Sequence, residues 1–334
     1  MKKTILIIGG AGYIGPVITS HFLAAGYKVN CLDLLLYQND ICVTQHLDNP
    51  NYRFIYGDMG DFNVMDRACE GVTDVVLLAG LVGDPITKKY PAASNAINDR
   101  GVSNCISYLN GKGLDRVIFV STCSNYGLIK SNEFADENFP LNPLSLYAKS
   151  KVAAEKSLLS KKDEVDYSPT ILRFSTAFGL APRMRFDLTV NEFTRELASG
   201  RELLVFDEHT WRPYCHVRDF ARLIQLVIEA PRAKVAFEVF NAGGYINNYT
   251  KKGVVEIILK LLPNSKVRYQ EHGMDPRNYR VDFEKVKKVL GFEPKYTVEY
   301  GVKELLNAIH EHVFDQVDTR RNFHGNYEIE YNEL

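Results

Sequence analysis

The sequence predicts an α/β protein built on a doubly wound parallel sheet, with a smaller C-terminal lobe interleaved with it. Strand-sized apolar runs alternate with helix-sized segments from residue 1 to about Arg173, and a glycine-rich turn joins the first strand to the first helix. Such alternation is typical of parallel strands connected by helices that cover both faces of a sheet. The alternation stops after Arg173, which predicts the second lobe.

The first strand, Thr4 to Ile8, leads into a turn with three evenly spaced glycines. Gly9 suits a tight turn, Gly12 lets a pyrophosphate approach the backbone, and Gly15 lets the helix pack closely on the strand. Glycines with these three tasks are typical of a Rossmann-type dinucleotide site.

The helix and strand after this turn complete the predicted cofactor site. The helix opened by Tyr13 and Ile14 offers unpaired N–H groups and a positive dipole end to phosphates. The next apolar run, from about Tyr27, ends at Asp33. A carboxylate there can accept from both ribose hydroxyls and would repel a 2′-phosphate, which favours NAD over NADP.

Two further strands are predicted at Asn51 to Tyr56 and at Asp74 to Leu78. The second runs into Ala79, Gly80 and Leu81. Small residues after a parallel strand let the ribose and phosphates of a cofactor lie along the end of that strand. We therefore expect these three residues to contact the cofactor.

Polar residues at the end of a fifth strand are the first candidates for the substrate site. The strand spans Arg116 to Val120 and delivers Thr122 and Ser124 at its carboxyl edge. Tyr147 and Lys151 follow in a predicted helix and share one of its faces, because they are four residues apart. We expect Ser124 to contact the substrate.

These side chains predict general-base chemistry on an alcohol. Tyrosine is a poor base near neutrality because its unperturbed pKa is about 10, but a nearby ammonium such as that of Lys151 favours the phenolate. Thr122 can hold the substrate oxygen whose proton Tyr147 removes. Loss of that proton lets the carbon pass a hydride to a nicotinamide, so Thr122, Tyr147 and Lys151 are the predicted catalytic residues.

Three motifs together resemble the extended short-chain dehydrogenases/reductases over nearly the whole chain. They are Gly9-x-x-Gly12-x-x-Gly15, Thr122 followed four residues later by Tyr126-Gly127, and Tyr147-x-x-x-Lys151. The resemblance implies that Asp58 and Met59 lie against the adenine of NAD, and we expect Asn98 to approach the cofactor as well. It also implies a homodimer with a four-helix interface formed by the helices of about 91–109 and 146–159.

The C-terminal half indicates the substrate class. The segment Leu172–Gly179 resembles one in nucleotide-sugar epimerases and dehydratases, with Thr176 in place of an asparagine that touches the sugar nucleotide. The run from Arg212 to Asp219 resembles their diphosphate-binding segment, whose first arginine binds the diphosphate. Arg277 supplies a second cation in a position that such families use.

Further arginines cluster in the same lobe of a chain with no net positive charge. Arg183 and Arg185 are candidates for substrate binding, because guanidinium groups recognise diphosphates in a bidentate manner. We also expect Asn191, in a predicted helix from Leu188 to Ala198, to contact the substrate.

The predicted division of the chain follows from this pattern. The predicted units are a NAD-binding unit of residues 1–173 to which 217–245 return, a substrate-binding lobe of 174–216 and 246–314, and an extension of 315–334.

The predicted reaction is NAD-dependent oxidation at C4 of a nucleotide-diphosphate sugar through a 4-keto species, by a 4-epimerase or a 4-dehydrogenase. Cys123 and Ser124 stand where the similar 4,6-dehydratases carry Asp-Glu, so a dehydratase or ketoreductase is less favoured. The segments Pro182–Leu188 and Leu81–Pro85 look more like GDP-heptose 4-dehydrogenase relatives than like UDP-galactose 4-epimerase. The same motifs also allow a non-catalytic NAD-binding regulatory subunit, or an enzyme for an aldehyde or steroid-like substrate.

The composition narrows the range of partners. The 334 residues include 40 basic and 41 acidic side chains, for a formal net charge of −1, so no overall field attracts nucleic acid or an anionic membrane. The apolar runs are too short for a signal peptide or a membrane span. Six irregularly spaced cysteines are typical of reduced thiols in a cytoplasmic protein, and we expect no bound metal.

Overall fold

The computed structural model of the protein describes residues 3–130, 133–162, 164–273, 275 and 277–331. Its strands are β1 (Thr4–Ile8), β2 (Lys28–Asp33), β3 (Tyr52–Tyr56), β4 (Asp74–Leu77), β5 (Arg116–Thr122), β6 (Ser168–Phe174), β7 (Thr176–Phe178), β8 (Leu203–Phe206), β9 (Trp211–His216), β10 (Glu238–Ala242), β11 (Asn248–Thr250) and β12 (Val267–Gln270). Its helices are α1 (Gly15–Ala24), α2 (Ile41–Thr44), α3 (Phe62–Ala68), α4 (Asp84–Lys89), α5 (Pro91–Ser94), α6 (Val102–Tyr108), α7 (Leu146–Ser160), α8 (Thr189–Ala198), α9 (Val217–Glu229), α10 (Arg232–Val235), α11 (Lys251–Leu261), α12 (Glu284–Leu290) and α13 (Val298–His310). A π-helical segment spans Asn95–Gly101, and single 3₁₀ turns span Cys123–Tyr126 and Tyr245–Asn247.

The central sheet has seven strands in the order β10, β6, β5, β4, β1, β2, β3, and every neighbouring pair is parallel. The chain builds outward from β1 to β3 and then returns to place β4 on the other side of β1. This confirms the doubly wound Rossmann arrangement. The reversal between β1 and β4 opens a crevice at their carboxyl ends, which is where ligands bind in such sheets.

Both faces of the sheet are buried, as expected of parallel strands. Within β1, Ile5 and Ile7 pack into a cluster with α1 and α9, whereas Leu6 and Ile8 pack into a second cluster with α3 and α6. This alternation follows from the two-residue period of a strand. Each of these side chains contributes roughly 1.5–3 kcal/mol through its burial.

The helix predicted from Pro91 to Leu109 is present but has an irregular centre. Helices α5 and α6 flank the π-helical segment Asn95–Gly101, and the chain remains helical throughout. Such π segments are common at functional sites because the extra residue in the turn redirects a side chain. Here the redirected region carries Asn98.

The second lobe lies beside the carboxyl edge of the sheet. It contains a three-stranded sheet in the order β11, β9, β7 and a parallel pair of β12 and β8, packed with α8, α11 and α13 around a third apolar cluster. The described residues after α13, 311–331, form no regular helix or strand, yet Val317, Phe323 and Ile329 among them are buried. Among the described residues, no helix is long and apolar enough to cross a membrane.

Candidate active site

The glycine turn after β1 has the shape that a dinucleotide requires. Gly9 has a φ of +83°, and a Cβ there would lie 2.7 Å from the backbone N and Cα of Ala79. A Cβ on Gly15 would lie 2.3 Å from the carbonyl oxygen of Gly10, so only glycine lets α1 approach the turn. At Gly12 the nearest atom to such a Cβ is 3.6 Å away. The backbone at Gly12 therefore faces open space, which fits the approach of a pyrophosphate.

Asp33 lies at the end of β2 beside this turn. Its carboxylate accepts hydrogen bonds from the backbone N–H groups of Ala11 (2.9 Å) and Leu35 (2.8 Å). Burial raises the pKa of Asp33, and these two donors oppose the shift. Asn39, which the sequence interpretation missed, donates to the Ala11 carbonyl at 2.6 Å. The turn and the carboxylate are thus held together, as a ribose site requires.

Asn98 shapes the loop that follows β4. Its side-chain oxygen accepts from the Leu81 N–H at 2.7 Å, and its side-chain NH₂ donates to the Leu81 carbonyl at 3.0 Å. A Cβ on Gly80 would lie 3.0 Å from the Asn98 oxygen and 3.8 Å from Lys151 Nζ. Ala79 donates from its backbone to the Ile8 carbonyl at 2.8 Å. The loop is therefore fixed beside both the glycine turn and Lys151.

Asp58 and Met59 follow β3 and are buried. Asp58 accepts from the Gly60 N–H at 2.7 Å through one oxygen and from the Tyr331 hydroxyl at 3.0 Å through the other. The C-terminal segment thus reaches the position that the family resemblance assigns to the adenine.

Replacing Gly9 with alanine should weaken NAD binding by at least about tenfold, because the new Cβ would push the turn away from the β4 loop. Isothermal titration with NAD measures the change. Gly111→Ala is the matched control: Gly111 has a φ of +77°, but a Cβ there meets nothing within 4 Å. Gly111→Ala should keep the wild-type affinity, and equal losses in both variants would contradict the role of the turn.

Lys151 lies on the buried face of α7 with its ammonium near the carboxyl end of β5. Its Nζ donates to the Val120 carbonyl at 2.8 Å and lies 4.7 Å from the ring centroid of Phe119. Burial lowers the pKa of Lys151 to about 8, and Glu155 opposes that shift. The ring centroid of Tyr147 is 6.0 Å from the same nitrogen, so the two residues share a face of α7.

The phenol of Tyr147 lies among charged groups from three other segments. Burial raises its pKa, and the guanidinium of Arg185 opposes this most strongly. Asp84 and Tyr279 raise the same pKa, and Arg277 lowers it. The phenol therefore keeps its proton until more positive charge is brought near it.

Thr122 ends β5, and its hydroxyl oxygen accepts from the Ser124 N–H at 3.1 Å, which caps the following 3₁₀ turn. The Ser124 hydroxyl lies 3.3 Å from the Tyr279 hydroxyl and accepts from Arg277 Nη1 at 3.3 Å. Tyr279 and Arg277 also act on the phenol of Tyr147. The Ser124 hydroxyl and the phenol on α7 thus share Tyr279 and Arg277 as neighbours.

Two arginines of the second lobe lie beside this site and pair with the same carboxylate, that of Asp275. Arg277 forms a bidentate pair with Asp275 (2.7 and 2.8 Å) and lies 3.0 Å from Asp84. Arg212 pairs with the same Asp275 at 3.0 Å and stacks over Tyr279 at 4.9 Å. The network brings together cations that a diphosphate could bind.

The sequence pattern of the "NAD dependent epimerase/dehydratase family" matches residues 5–243. The chain belongs to this family. Membership confirms the predicted superfamily and NAD as the cofactor.

Similar proteins include both epimerases and dehydratases. A dTDP-glucose 4,6-dehydratase from Streptomyces niveus is 28% identical over 312 residues, covering 90% of this chain and 90% of that protein. A UDP-glucose 4-epimerase from Thermotoga maritima, solved with UDP-glucose, has a TM-score of 0.81 and 25% identity, with 93% and 99% of the two chains covered. A dTDP-glucose 4,6-dehydratase from Bacillus anthracis, solved with NAD, has a TM-score of 0.81 and 27% identity, with 92% and 97% covered.

Arg183, Arg185 and Asn191 are predicted to bind the substrate, and each forms hydrogen bonds with other residues of the protein. Arg185 forms a bidentate pair with Asp187 at 2.6 and 2.7 Å, yet it still acts on the phenol of Tyr147. Arg183 donates to the Gly325 carbonyl at 3.0 Å. Asn191 is fully buried, accepts from the Gly179 N–H at 3.1 Å and donates to the Arg185 carbonyl at 3.0 Å. Of the three, Arg185 is the one whose charge acts on the phenol of Tyr147.

Tyr13 joins the cofactor turn to the second lobe. Its hydroxyl donates to the Gly179 carbonyl at 2.5 Å and accepts from the Asn191 side chain at 2.9 Å. Ile14 is the N-cap residue of α1 and has no side-chain cap. Thr176 begins β7, half-buried, and pairs in register with Tyr214 of β9.

Sequence interpretation missed Tyr279 and the role of Asp84. Tyr279 reaches the site because Asn278 donates from its backbone to the Gly127 carbonyl at 3.2 Å, a contact between distant segments that no local pattern reveals. Asp84 had a local signal, since it follows Gly83 at the end of the β4 loop. Among the described residues, no group of three or more His, Cys, Asp and Glu side chains could hold a metal ion.

Proposed function

We propose that the protein oxidises C4 of a nucleotide-diphosphate sugar to a 4-keto species with NAD, and acts as a 4-epimerase or a 4-dehydrogenase. The observation that supports this proposal is that Arg277 and Tyr279 contact the Ser124 hydroxyl and also act on the phenol of Tyr147, which lies on the same face of α7 as Lys151. In this proposal residues 1–173 and 217–245 bind NAD, and residues 174–216 and 246–314 bind the sugar nucleotide. Support for that division comes from β10, which pairs with β6 in the central sheet.

The proposed chemistry needs a base, a hydride acceptor and a holder for the oxygen. Bound NAD supplies the acceptor and a positive charge near the phenol. Tyr147, as phenolate, takes the proton of the C4 hydroxyl while Thr122 holds that oxygen, and the C4–H bond breaks with its electron pair leaving as hydride. The C=O bond forms at the same carbon. Lys151 stabilises the phenolate, and in the reverse direction Tyr147 returns the proton to the oxygen.

The arginine network supports a diphosphate as the anchoring group. Arg212 and Arg277 carry two positive charges, which Asp275 and Asp84 balance when no anion is present. A diphosphate can replace the Asp275 carboxylate on both guanidinium groups with bidentate contacts. In this proposal Asp275 holds the two arginines in position before the substrate arrives.

The residues after Thr122 favour simple oxidation over elimination of water. Elimination needs an acid and a base beside the sugar, and the similar dehydratases carry Asp-Glu at this point. Here the thiol of Cys123 is buried and donates to the Arg173 carbonyl at 3.1 Å, away from the site. Ser124 has no charge to contribute. Asp84, whose charge acts on the phenol, is paired with Arg277, and Asp275 is paired with Arg212 and Arg277.

A panel of nucleotide sugars tests the proposal. The NAD-loaded protein is incubated with UDP-, dTDP-, GDP-, CDP- and ADP-sugars while absorbance follows reduced cofactor and NMR follows the sugar. An inverted C4 without net reduced cofactor identifies an epimerase, and stoichiometric reduced cofactor with a ketone identifies a dehydrogenase. Loss of water, or no response to any sugar, would contradict the proposal.

The charge of Lys151 should set the alkaline limit of activity. We expect kcat/KM to fall as the pH rises through about 8, because burial lowers the pKa of Lys151 to that value and the neutral amine no longer stabilises the phenolate. Lys151→Arg keeps its charge at higher pH, so its profile should lack this decline even where its maximal rate is lower. Identical alkaline limits in both proteins would exclude Lys151 as the titrating group.

We also propose a homodimer through α5, α6 and α7. A groove between α5, the π-helical segment that joins it to α6, and α7 is lined by Ser94, Asn95, Leu146 and Ala153, and Leu146 is 48% exposed. An exposed leucine in such a groove favours association with a second copy. Light scattering that finds only monomer at micromolar concentration would contradict this proposal.

A further inference from the structure

We propose that residues 322–331, here called the C-terminal strap, form the outer wall of the adenosine half of the cofactor site and retain NAD between turnovers. The proposed role of the strap concerns cofactor binding, so it does not depend on which sugar the enzyme uses. This gives a role to a segment whose sequence is polar with scattered aromatics and carries no recognisable motif.

The tip of the strap contacts the residue expected to face the adenine. The Tyr331 hydroxyl donates to Asp58 Oδ2 at 3.0 Å, while Asp58 Oδ1 accepts from the Gly60 N–H at 2.7 Å. A carboxylate offers about four acceptor positions, so these two bonds orient Asp58 and leave capacity for a further donor. Tyr331 therefore orients the Asp58 carboxylate and leaves acceptor positions on it for a ligand.

Apolar contacts of the strap lie across the ends of β2 and β4. Ile329 is buried in a small cluster with Leu81 and Ile86, which follow β4. Tyr331 packs on the same cluster, which also includes Leu36 and Tyr37 from the loop after β2. The strap thus bridges the ends of the strands that carry Asp33, Asp58 and the β4 loop. These strand ends enclose the position of the adenosine in a Rossmann sheet.

Polar contacts anchor the start of the strap to both parts of the molecule. The side-chain NH₂ of Asn326 donates to the Val82 carbonyl at 2.8 Å, and its side-chain oxygen accepts from Arg183 Nη2 at 2.8 Å. Arg183 stacks over the ring of Tyr37 at 4.1 Å from the centroid. The His324 carbonyl accepts from the Phe186 N–H at 2.8 Å. Arg183, expected to bind substrate, therefore connects the second lobe to the strap.

In this proposal the strap changes the rate at which NAD dissociates. A segment that crosses the crevice and is held at both ends must detach before NAD can leave, so it slows dissociation more than it changes association. An enzyme that must return a hydride to its own substrate benefits, because loss of the reduced cofactor in mid-cycle would leave the ketone without a hydride donor.

The dissociation rate of NAD tests the proposal without any sugar. Radiolabelled NAD bound to the protein is chased with excess unlabelled NAD, and the label that remains is followed with time. A chain ending at Arg321 should release NAD at least about tenfold faster than the full chain. Tyr331→Phe, which removes the hydroxyl that donates to Asp58 and keeps the ring, should release it roughly fivefold faster.

The matched control is Tyr27→Phe, which removes a phenol bond of 2.6 Å to the carboxylate of Glu229, remote from the cofactor. This variant should release NAD at the wild-type rate. Thermal melting with saturating NAD checks that each variant is folded. If the shortened chain does not fold, the dissociation rate of Tyr331→Phe alone tests the role of the strap.

Two results would overturn the proposal. One is an unchanged dissociation rate in Tyr331→Phe and the shortened chain. The other is slower release or tighter binding after shortening, which would mean that the strap competes with NAD. If the rates change as expected but no nucleotide sugar responds, the role of the strap stands and the proposed reaction fails. Unchanged rates with active turnover would remove the role of the strap and leave the proposed reaction standing.

Discussion

Replacing Tyr147 with phenylalanine should lower kcat by about 10²–10⁴-fold and leave NAD bound. The ring and its packing remain, and only the group that exchanges a proton with the sugar oxygen is lost. Because Thr122 and the arginines are unchanged, KM for the nucleotide sugar should change little. Steady-state kinetics on the responsive sugar, with bound NAD measured separately, give both quantities.

Tyr27→Phe again serves as the control, because it removes a surface phenol bond at the opposite end of the sheet from the crevice. It should keep the wild-type kcat. A Tyr147→Phe enzyme that turns over at the wild-type rate would remove the phenol from the mechanism, whatever the position of its ring.

Replacing Glu155 with glutamine should destabilise the protein by about 3–5 kcal/mol, because it leaves the Arg173 guanidinium buried without a countercharge. Glu155 is 1% exposed and Arg173 is 4% exposed, and they form a forked pair with a closest contact of 2.8 Å. Glu155 also accepts from the Asn125 side chain at 2.8 Å and from the Ser121 hydroxyl. These two residues lie on either side of Thr122 in the sequence, so the pair also supports the carboxyl end of β5.

Denaturant unfolding measures this loss. Glu70→Gln is the control, since Glu70 forms an exposed pair with Arg53 at 2.7 Å, and its replacement should change stability little. The double variant Glu155→Leu, Arg173→Met should recover part of the loss, because no unpaired charge remains in the core. If Glu155→Gln is as stable as Glu70→Gln, the buried pair does not contribute as described.

The sequence was informative where local pattern and global fold agree. Strand β1, Gly9 and the pair Tyr147 and Lys151 each follow from spacing within a few residues, and the structure has them in the predicted elements. The chain order of strands and helices was enough to predict the doubly wound sheet. These features depend on periodicity and backbone geometry, which a single sequence records directly.

The features that the sequence did not predict depend on contacts between segments that are far apart in the chain. The bond between Tyr331 and Asp58 joins residues separated by 273 positions, and that between Arg183 and Asn326 joins residues separated by 143. No periodicity marks either pair. The same holds for the short strands β7 and β11, which exist because β9 lies between them. The sequence predicts the same substrate-binding role for Arg183 as for the other arginines of the lobe, because all carry the same charge. Only its neighbours in the structure distinguish Arg183 from them.

The fate of a deuterium at C4 of the responsive nucleotide sugar tests the central claim most directly. If Tyr147 exchanges the hydroxyl proton while C4 loses a hydride, the deuterium should stay at C4 of an epimerised product or be recovered in reduced cofactor, and it should slow the reaction. It should not enter the solvent. Deuterium appearing in water would show that C4 loses a proton instead, and would contradict the mechanism built on Tyr147, Lys151 and Thr122.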